Sequence, residues 1–133
     1  MTEEGGFTLV EVLISTLVLT TGLLALAALL GVTANMQIGA REGARSMRVA
    51  HQTIDELMGQ DFDSFSSIQI GGSLTDNVAF HYENEPDGLT GVVVRWVVTA
   101  GPVDDTRYIT VRVTNPRARQ YQTTDLTTII REW

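Results

Sequence analysis

One acidic side chain stands alone in a long uncharged stretch near the start of the chain. Glu11 is the only ionisable side chain from Phe7 through Ala40, and residues 12–34 contain neither charge nor proline. As a helix, this stretch covers roughly 35 Å, which is enough for a hydrocarbon core of about 30 Å. A carboxylate at membrane depth is costly unless it is protonated, reaches the headgroups or meets a cation. The spacing therefore predicts that the charge of Glu11 is neutralised at a membrane-spanning helix. The alternative is that the Glu11 side chain lies at the helix end and reaches the lipid headgroups.

Other chemistry finds little support in the residue types. The chain has no cysteine, which excludes disulfide frameworks, thiolate zinc sites and cysteine nucleophiles. His51 and His81 lie far apart without ligand spacing. Two acidic pairs could offer oxygen ligands, but neither has the full spacing of a calcium loop; they are Asp61 with Asp63 and Asp104 with Asp105. No nucleophile, base and orienting group occur together, so we expect no enzyme activity, no metal and no cofactor.

The charge balance narrows the class of partner. Sixteen acidic residues face nine basic ones, which gives a formal net charge of -7 and a pI of about 4.6. A protein that binds nucleic acid by broad phosphate neutralisation needs the opposite excess, so no nucleic acid partner is expected. A length of 133 residues allows one ordinary domain.

The elements that position Glu11 follow from the hydrophobic period. No proline lies between Phe7 and Pro86, and the simplest prediction is one helix from about Phe7 to about Gly59. Its first half is apolar all round, and its second half is amphipathic. The predicted apolar stripe of the second half recurs every three or four residues and comprises Met36, Ala40, Ala44, Met47, His51, Ile54 and Met58.

The period then changes from 3.6 to 2. Alternating apolar residues predict antiparallel strands over 92–99 and 108–114, joined through Gly101–Asp105, with Trp96 in the core. Two further strands are predicted over 78–82 and 126–133, with a turn at Pro86–Gly88. A sheet of about four strands has one apolar face, and the helix stripe is its expected cover. The fold class is therefore α+β.

The first residues match a known processing signature. The string Gly6-Phe7-Thr8-Leu9-Val10-Glu11, followed by the apolar stretch, resembles that of type IV pilins and type II secretion pseudopilins. The resemblance implies cleavage by a prepilin peptidase between Gly6 and Phe7, and N-methylation of the new terminus at Phe7. It also implies that Glu11 neutralises the terminal ammonium of a neighbouring subunit during assembly. Such a pair makes two costly charges tolerable in a dry bundle.

A weaker similarity covers most of the chain. The long helix and the hairpin with Trp96 and Ile109-Thr-Val-Arg-Val113 resemble the PilV-type minor pilins and the I-type pseudopilins. The implied fold is the pilin lollipop, a long N-terminal helix packed on a small antiparallel sheet. The implied divisions are a leader at 1–6, a transmembrane and filament-core helix at 7–34, its amphipathic continuation at 35–60, and a sheet head at 61–133.

The implied function is that of a minor pilin that helps prime or assemble a type IV pilus. A type II secretion pseudopilin is the alternative within the family, and a single-pass membrane-anchored binding domain is the alternative of another class. Expected partners are prepilin peptidase, other pilins or pseudopilins in a helical filament, and the inner membrane. The expected location is the inner membrane with the C-terminal domain in the periplasm, and then the pilus or pseudopilus.

Two features depart from the family pattern. The leader carries Glu3 and Glu4 where prepilins usually carry basic residues, and Arg41, Arg45 and Arg48 follow the span. A plain positive-inside count would place the head in the cytoplasm, whereas the cleavage motif requires the cytoplasmic face for the N-terminus. We follow the motif. The second departure is the missing cysteine pair of many major pilins, which favours a minor pilin or a pseudopilin.

Overall fold

A computed structural model describes residues 8–132, without the side chains of residues 119–121. The chain divides into two compact units, residues 1–37 and residues 38–133. Helix α1 spans Leu9–Met58, which confirms the predicted helix within the described residues. With an antiparallel sheet in the second unit, the fold class is α+β, as predicted.

In its described residues, the first unit consists of Thr8 and the apolar part of α1. Its large side chains are exposed, from 51% at Val12 to 78% at Leu9, and no part of the most apolar 18-residue window is buried. An unassisted helix of this composition in water would leave a large apolar surface uncovered. It is long and apolar enough to be a candidate membrane span.

The second unit contains a sheet of five strands in its described part: β1 Gly71–Gly72, β2 Tyr82–Asn84, β3 Val93–Ala100, β4 Thr106–Thr114 and β5 Thr123–Arg131. All pairings are antiparallel. The strand order is β1-β3-β4-β5, and β2 also pairs with β3. The central hairpin of β3 and β4 is the one that alternation predicted.

The predicted alternation across this hairpin is confirmed. Every second residue faces the core and is at most 7% exposed: Val92, Val94, Trp96 and Val98 before the turn, and Ile109, Val111 and Val113 after it. Ile130 on β5 belongs to the same cluster, together with Val49, Ala50, Ile54 and Leu57 of α1. The second half of the helix therefore covers the apolar face of the sheet, as expected.

The face that α1 uses is not the predicted stripe. Of that stripe only Ile54 is buried, and Met36 and Met58 are 70% and 53% exposed. The buried residues mostly lie one position earlier: Gly39, Ser46, Val49, Ala50, Thr53, Ile54 and Leu57. The two buried hydroxyls, of Ser46 and Thr53, each donate to a helix carbonyl, so they enter the core without an unmet hydrogen bond.

Two strand boundaries were wrong. Within the predicted strand at 78–82 only Tyr82 joins β2, because Phe80 takes a left-handed φ of 66° and His81 N–H donates to the Val78 carbonyl at 2.9 Å. A turn thus replaces the strand. β5 starts at Thr123, earlier than predicted.

The strand that the sequence did not predict is β1. It consists of two glycines, so it has no side chains whose alternation could indicate a strand. At Gly72 the φ is +89°, and an added β-carbon would overlap the Trp96 carbonyl oxygen. Only glycine therefore fits this place beside β3.

An ion pair on the outer face of the sheet yields a pH prediction. Arg112 donates to both Asp125 carboxylate oxygens, at 2.7 and 2.6 Å. This hydrogen bonding lowers the pKa of Asp125, against an opposing effect of burial. A depressed carboxyl pKa stabilises the fold above the unfolded pKa of about 3.9, and the contribution is lost as the pH falls through the folded value.

We therefore expect Asp125→Asn to lower the free energy of unfolding by up to about 1 kcal/mol at pH 6, since the pair is partly exposed. The deficit should disappear at pH values below both the folded and the unfolded pKa. Chemical denaturation of the detergent-solubilised chain measures the free energy of unfolding at pH 6 and at the low pH. Asp104→Asn, at an exposed turn, is the control and should change neither. An equal deficit at both pH values would contradict the electrostatic origin.

Candidate functional site

The first turn of α1 holds the one sequence-predicted site residue that the structure describes. Thr8 precedes the helix, and its hydroxyl oxygen accepts a hydrogen bond from the Glu11 N–H at 3.3 Å. The Thr8 carbonyl accepts from the N–H groups of Glu11 and Val12 at 3.0 and 3.2 Å. Threonine at the cap with glutamate three residues later is the sequence of a capping box. The helix start, and hence the position of Glu11, is fixed locally.

The carboxylate of Glu11 is exposed and makes no hydrogen bond or ion pair within residues 8–132. Its neighbours are apolar and exposed: Leu9, Val10, Val12 and Leu13 are 78%, 62%, 51% and 60% exposed. The positive end of the helix dipole favours a negative charge here, but an apolar environment would not solvate that charge. Glu11 thus presents a carboxyl group on an apolar surface.

The two other predicted site residues, Gly6 and Phe7, lie outside the described residues. The predictions of cleavage between them and of methylation at Phe7 therefore remain predictions. Trp133, the end of the predicted strand over 126–133, also lies outside the described residues.

The threonine hydroxyls along the span are satisfied within the helix. The hydroxyls of Thr16, Thr20, Thr21 and Thr33 each donate to a carbonyl three or four residues earlier, all at 2.9 Å. Such internal bonds lower the cost of placing a hydroxyl in hydrocarbon. The threonines therefore do not count against a membrane location.

An arginine that the sequence analysis did not single out anchors the loop after α1. Arg107 donates through Nη1 to the carbonyls of Phe62 and Ile68, at 2.6 and 3.1 Å. Its guanidinium also lies 3.7 Å from the Phe62 ring centroid and pairs with Asp63 at 3.4 Å. Its partners are mainly backbone groups distant in sequence, which no local pattern reveals.

His81 likewise holds loops in place. It is 6% exposed, and its ring nitrogens lie 3.1 Å from the Ala79 carbonyl and 3.0 Å from that of Gln69. A neutral imidazole can donate to one of these at a time. The ring also lies against Trp96, with the centroids 6.2 Å apart. His81 thus joins two loops to the core.

Trp96 is in the core, as predicted, and its indole N–H donates to the Ser67 carbonyl at 2.8 Å. His51, in contrast, was expected to pack on the helix stripe and is exposed.

A buried polar group ties the loop after β4 to α1. The Asn115 side chain is 1% exposed and donates to Glu42 at 3.1 Å and to the Ser46 hydroxyl at 3.2 Å. Its own oxygen accepts from the Arg117 N–H at 3.0 Å. Both helix partners lie on the face that the apolar stripe missed, which explains why the sequence did not indicate them.

The acidic pairs are turn residues. Asp61 accepts from the Asp63 N–H at 3.3 Å, and Asp63 faces Arg107. Asp104 and Asp105 lie exposed in the turn between β3 and β4. Within residues 8–132 no group of three or more potential metal ligands occurs.

The arrangement suits charge pairing with a partner along an apolar helix. The described side chains at this site consist of the Glu11 carboxylate, whose backbone position is fixed by the helix cap, and a surrounding apolar surface, and neither is covered within the described chain. No family model, curated protein or solved structure matches the chain.

Proposed function

We propose that this chain is a minor pilin that primes or assembles a type IV pilus. Prepilin peptidase would cut between Gly6 and Phe7 and methylate the Phe7 amine. The processed chain would then enter a helical filament through contacts between apolar helices. Glu11 would neutralise the terminal ammonium of a neighbouring subunit.

The observation that carries the proposal is the coincidence of the Gly6–Glu11 motif with an exposed Glu11 carboxylate that has no partner among the described residues. A lone anion among exposed apolar side chains is unfavourable in a dry environment. A cation held at the same depth removes that cost, and truncating either partner restores it. The motif supplies such a cation, the new amino terminus, on every copy of the chain.

The proposed location follows from the same features. The candidate span would hold the precursor in the inner membrane, with the cleavage motif at the cytoplasmic face and the sheet in the periplasm. The internally bonded threonines are compatible with this placement. Other pilins, the peptidase and the membrane are then the partners.

Processing is tested at the amino terminus. Intact-mass and N-terminal peptide analysis of the protein from cells with an active prepilin peptidase should find a chain that starts at N-methylated Phe7. Gly6→Val is the control, because a branched side chain next to the scissile bond should block the cut and leave Met1 in place. An unaltered chain that retains Met1 in such cells would contradict the proposal.

A pseudopilin of type II secretion shares every feature used so far. Deletion of the gene separates the two functions. Loss of a minor pilin should abolish or reduce piliation and twitching, whereas loss of a pseudopilin should reduce protein secretion. If the chain is instead a membrane-anchored binding domain, replacing Glu11 should change neither piliation nor protein secretion.

A further inference from the structure

The solvent face of α1 carries a basic stripe, which we define as Arg41, Arg45 and Arg48. Spacings of four and three residues place the three side chains on one side of the helix. All three are exposed. The one ion pair recorded for them among the described side chains joins Arg45 to Glu42 across 3.9 Å. The stripe therefore holds largely unneutralised positive charge.

The same face turns acidic about two turns later. We define the acidic patch as Asp55 and Glu56 of α1 with Glu83 and Asp87 beside them. Burial raises the pKa of Glu83, and the charges of Glu56 and Asp87 raise it further. Among the described side chains these four carboxylates make no ion pair. Like charges thus accumulate here without a neutralising partner in the part of the chain that the structure describes.

The geometry points to a second copy of this chain, shifted along the helix axis, as the occupant of this face. Arg45 precedes Glu56 by eleven residues, which is about 16 Å along a helix. A neighbour displaced by that distance would bring its basic stripe against the acidic patch of the first copy. The inference rests on the proposed function, because it concerns contacts within a filament.

The same charges disfavour the unshifted arrangement. Two identical copies inserted side by side at equal depth place arginine beside arginine and carboxylate beside carboxylate. Exposed pairs of opposite charge contribute modestly and like pairs cost similar amounts. The stripe therefore discriminates between side-by-side copies and shifted ones. A filament gives each copy several neighbours, so this contact and the Glu11 contact can involve different ones.

A second copy explains both halves of the face, whereas anionic lipid headgroups would account for the basic stripe alone. The acidic patch then needs a cation, and the exposed arginines of an identical chain supply it at a matching spacing. Charge complementarity along one continuous helix face thus selects the occupant.

The test uses charge reversal and exchange in the full chain. Arg45→Glu with Arg48→Glu, or Asp55→Arg with Glu56→Arg, should lower the amount recovered in sheared filaments at least about tenfold, since attraction becomes repulsion at several pairs. The four substitutions together exchange the signs at the mutated positions and should restore a large part of the recovery. Arg117→Glu with Arg131→Glu changes the net charge as much as the first variant, away from α1, and is the matched control.

A cross-link tests the shift itself. Because the chain has no cysteine, Arg41→Cys in one copy and Gln52→Cys in another mark two positions of this face, eleven residues apart. Within filaments the mixed disulfide should form in preference to either disulfide between like positions. Preference for like positions would overturn the shifted arrangement.

The outcomes separate the two proposals. Full recovery of both reversal variants, or failure of the exchange to restore recovery, overturns the contact; the second result would indicate a different surface, such as lipid phosphates, for the arginines. If the chain starts at Phe7 and needs Glu11 while the reversals have no effect, the proposed function stands without this contact. An unaltered chain that never enters filaments overturns both.

Discussion

Replacement of Glu11 by alanine should reduce incorporation into filaments at least about a hundredfold, while the precursor is still made and inserted. The terminal ammonium of a neighbour would lose its counter-charge in a dry environment, and removing one partner of a buried pair costs about 3–5 kcal/mol. Quantitative immunoblotting of sheared filaments against total membranes measures the ratio. Glu11→Gln should show the same loss, because it keeps the shape of the side chain and removes its charge.

The matched control separates the charge from the start of the helix. Thr8→Ala removes the hydroxyl that accepts from the Glu11 N–H and costs about 1 kcal/mol of cap stabilisation, but it leaves the carboxylate in place. It should keep most of the incorporation. Assembly of Glu11→Ala at the wild-type level would refute the pairing role and would favour a membrane-anchored binding domain.

Ile109→Ala should destabilise the sheet of the second unit by about 2–5 kcal/mol, the range for removing a large buried side chain. Ile109 is fully buried on the core face of β4, between Val98 on β3 and Thr128 on β5. Urea denaturation in detergent, followed by the fluorescence of the buried Trp96, reports on this unit.

Ile129→Ala is the control for Ile109→Ala, since it removes the same atoms from the outer face of β5, where the side chain is 47% exposed. Its loss should stay below about 1 kcal/mol. Equal losses at the two positions would contradict the assignment of the core to one face of the sheet.

The strongest periodic signals predicted the fold correctly. Alternation on β3 and β4 is readable because valine and isoleucine mark the core face and threonine and arginine mark the other. The helix face was misplaced by about one position, because Gly39, Ser46 and Thr53 are among its buried residues and side chains of these types do not mark an apolar face in the sequence. Burial of hydroxyl-bearing residues such as Ser46 depends on partners remote in sequence, here Asn115, which is a tertiary property.

The candidate site could be predicted where a residue stands out by its type from the residues around it in the sequence. Glu11 is conspicuous because nothing else in its stretch ionises. The anchors Arg107, His81 and Asn115 were missed because each binds groups remote in sequence. Turn geometry such as the positive φ of Phe80 also has no reliable signature in a single sequence.

The threonines of α1 have one more consequence. Their hydroxyls donate to carbonyls of their own helix, so none has to find a new acceptor when the surroundings change. If the chain enters a filament as proposed, its helix could exchange lipid for neighbouring helices, and return, without breaking any of these threonine hydrogen bonds. The exchange would then be limited by charge and shape rather than by polar contacts.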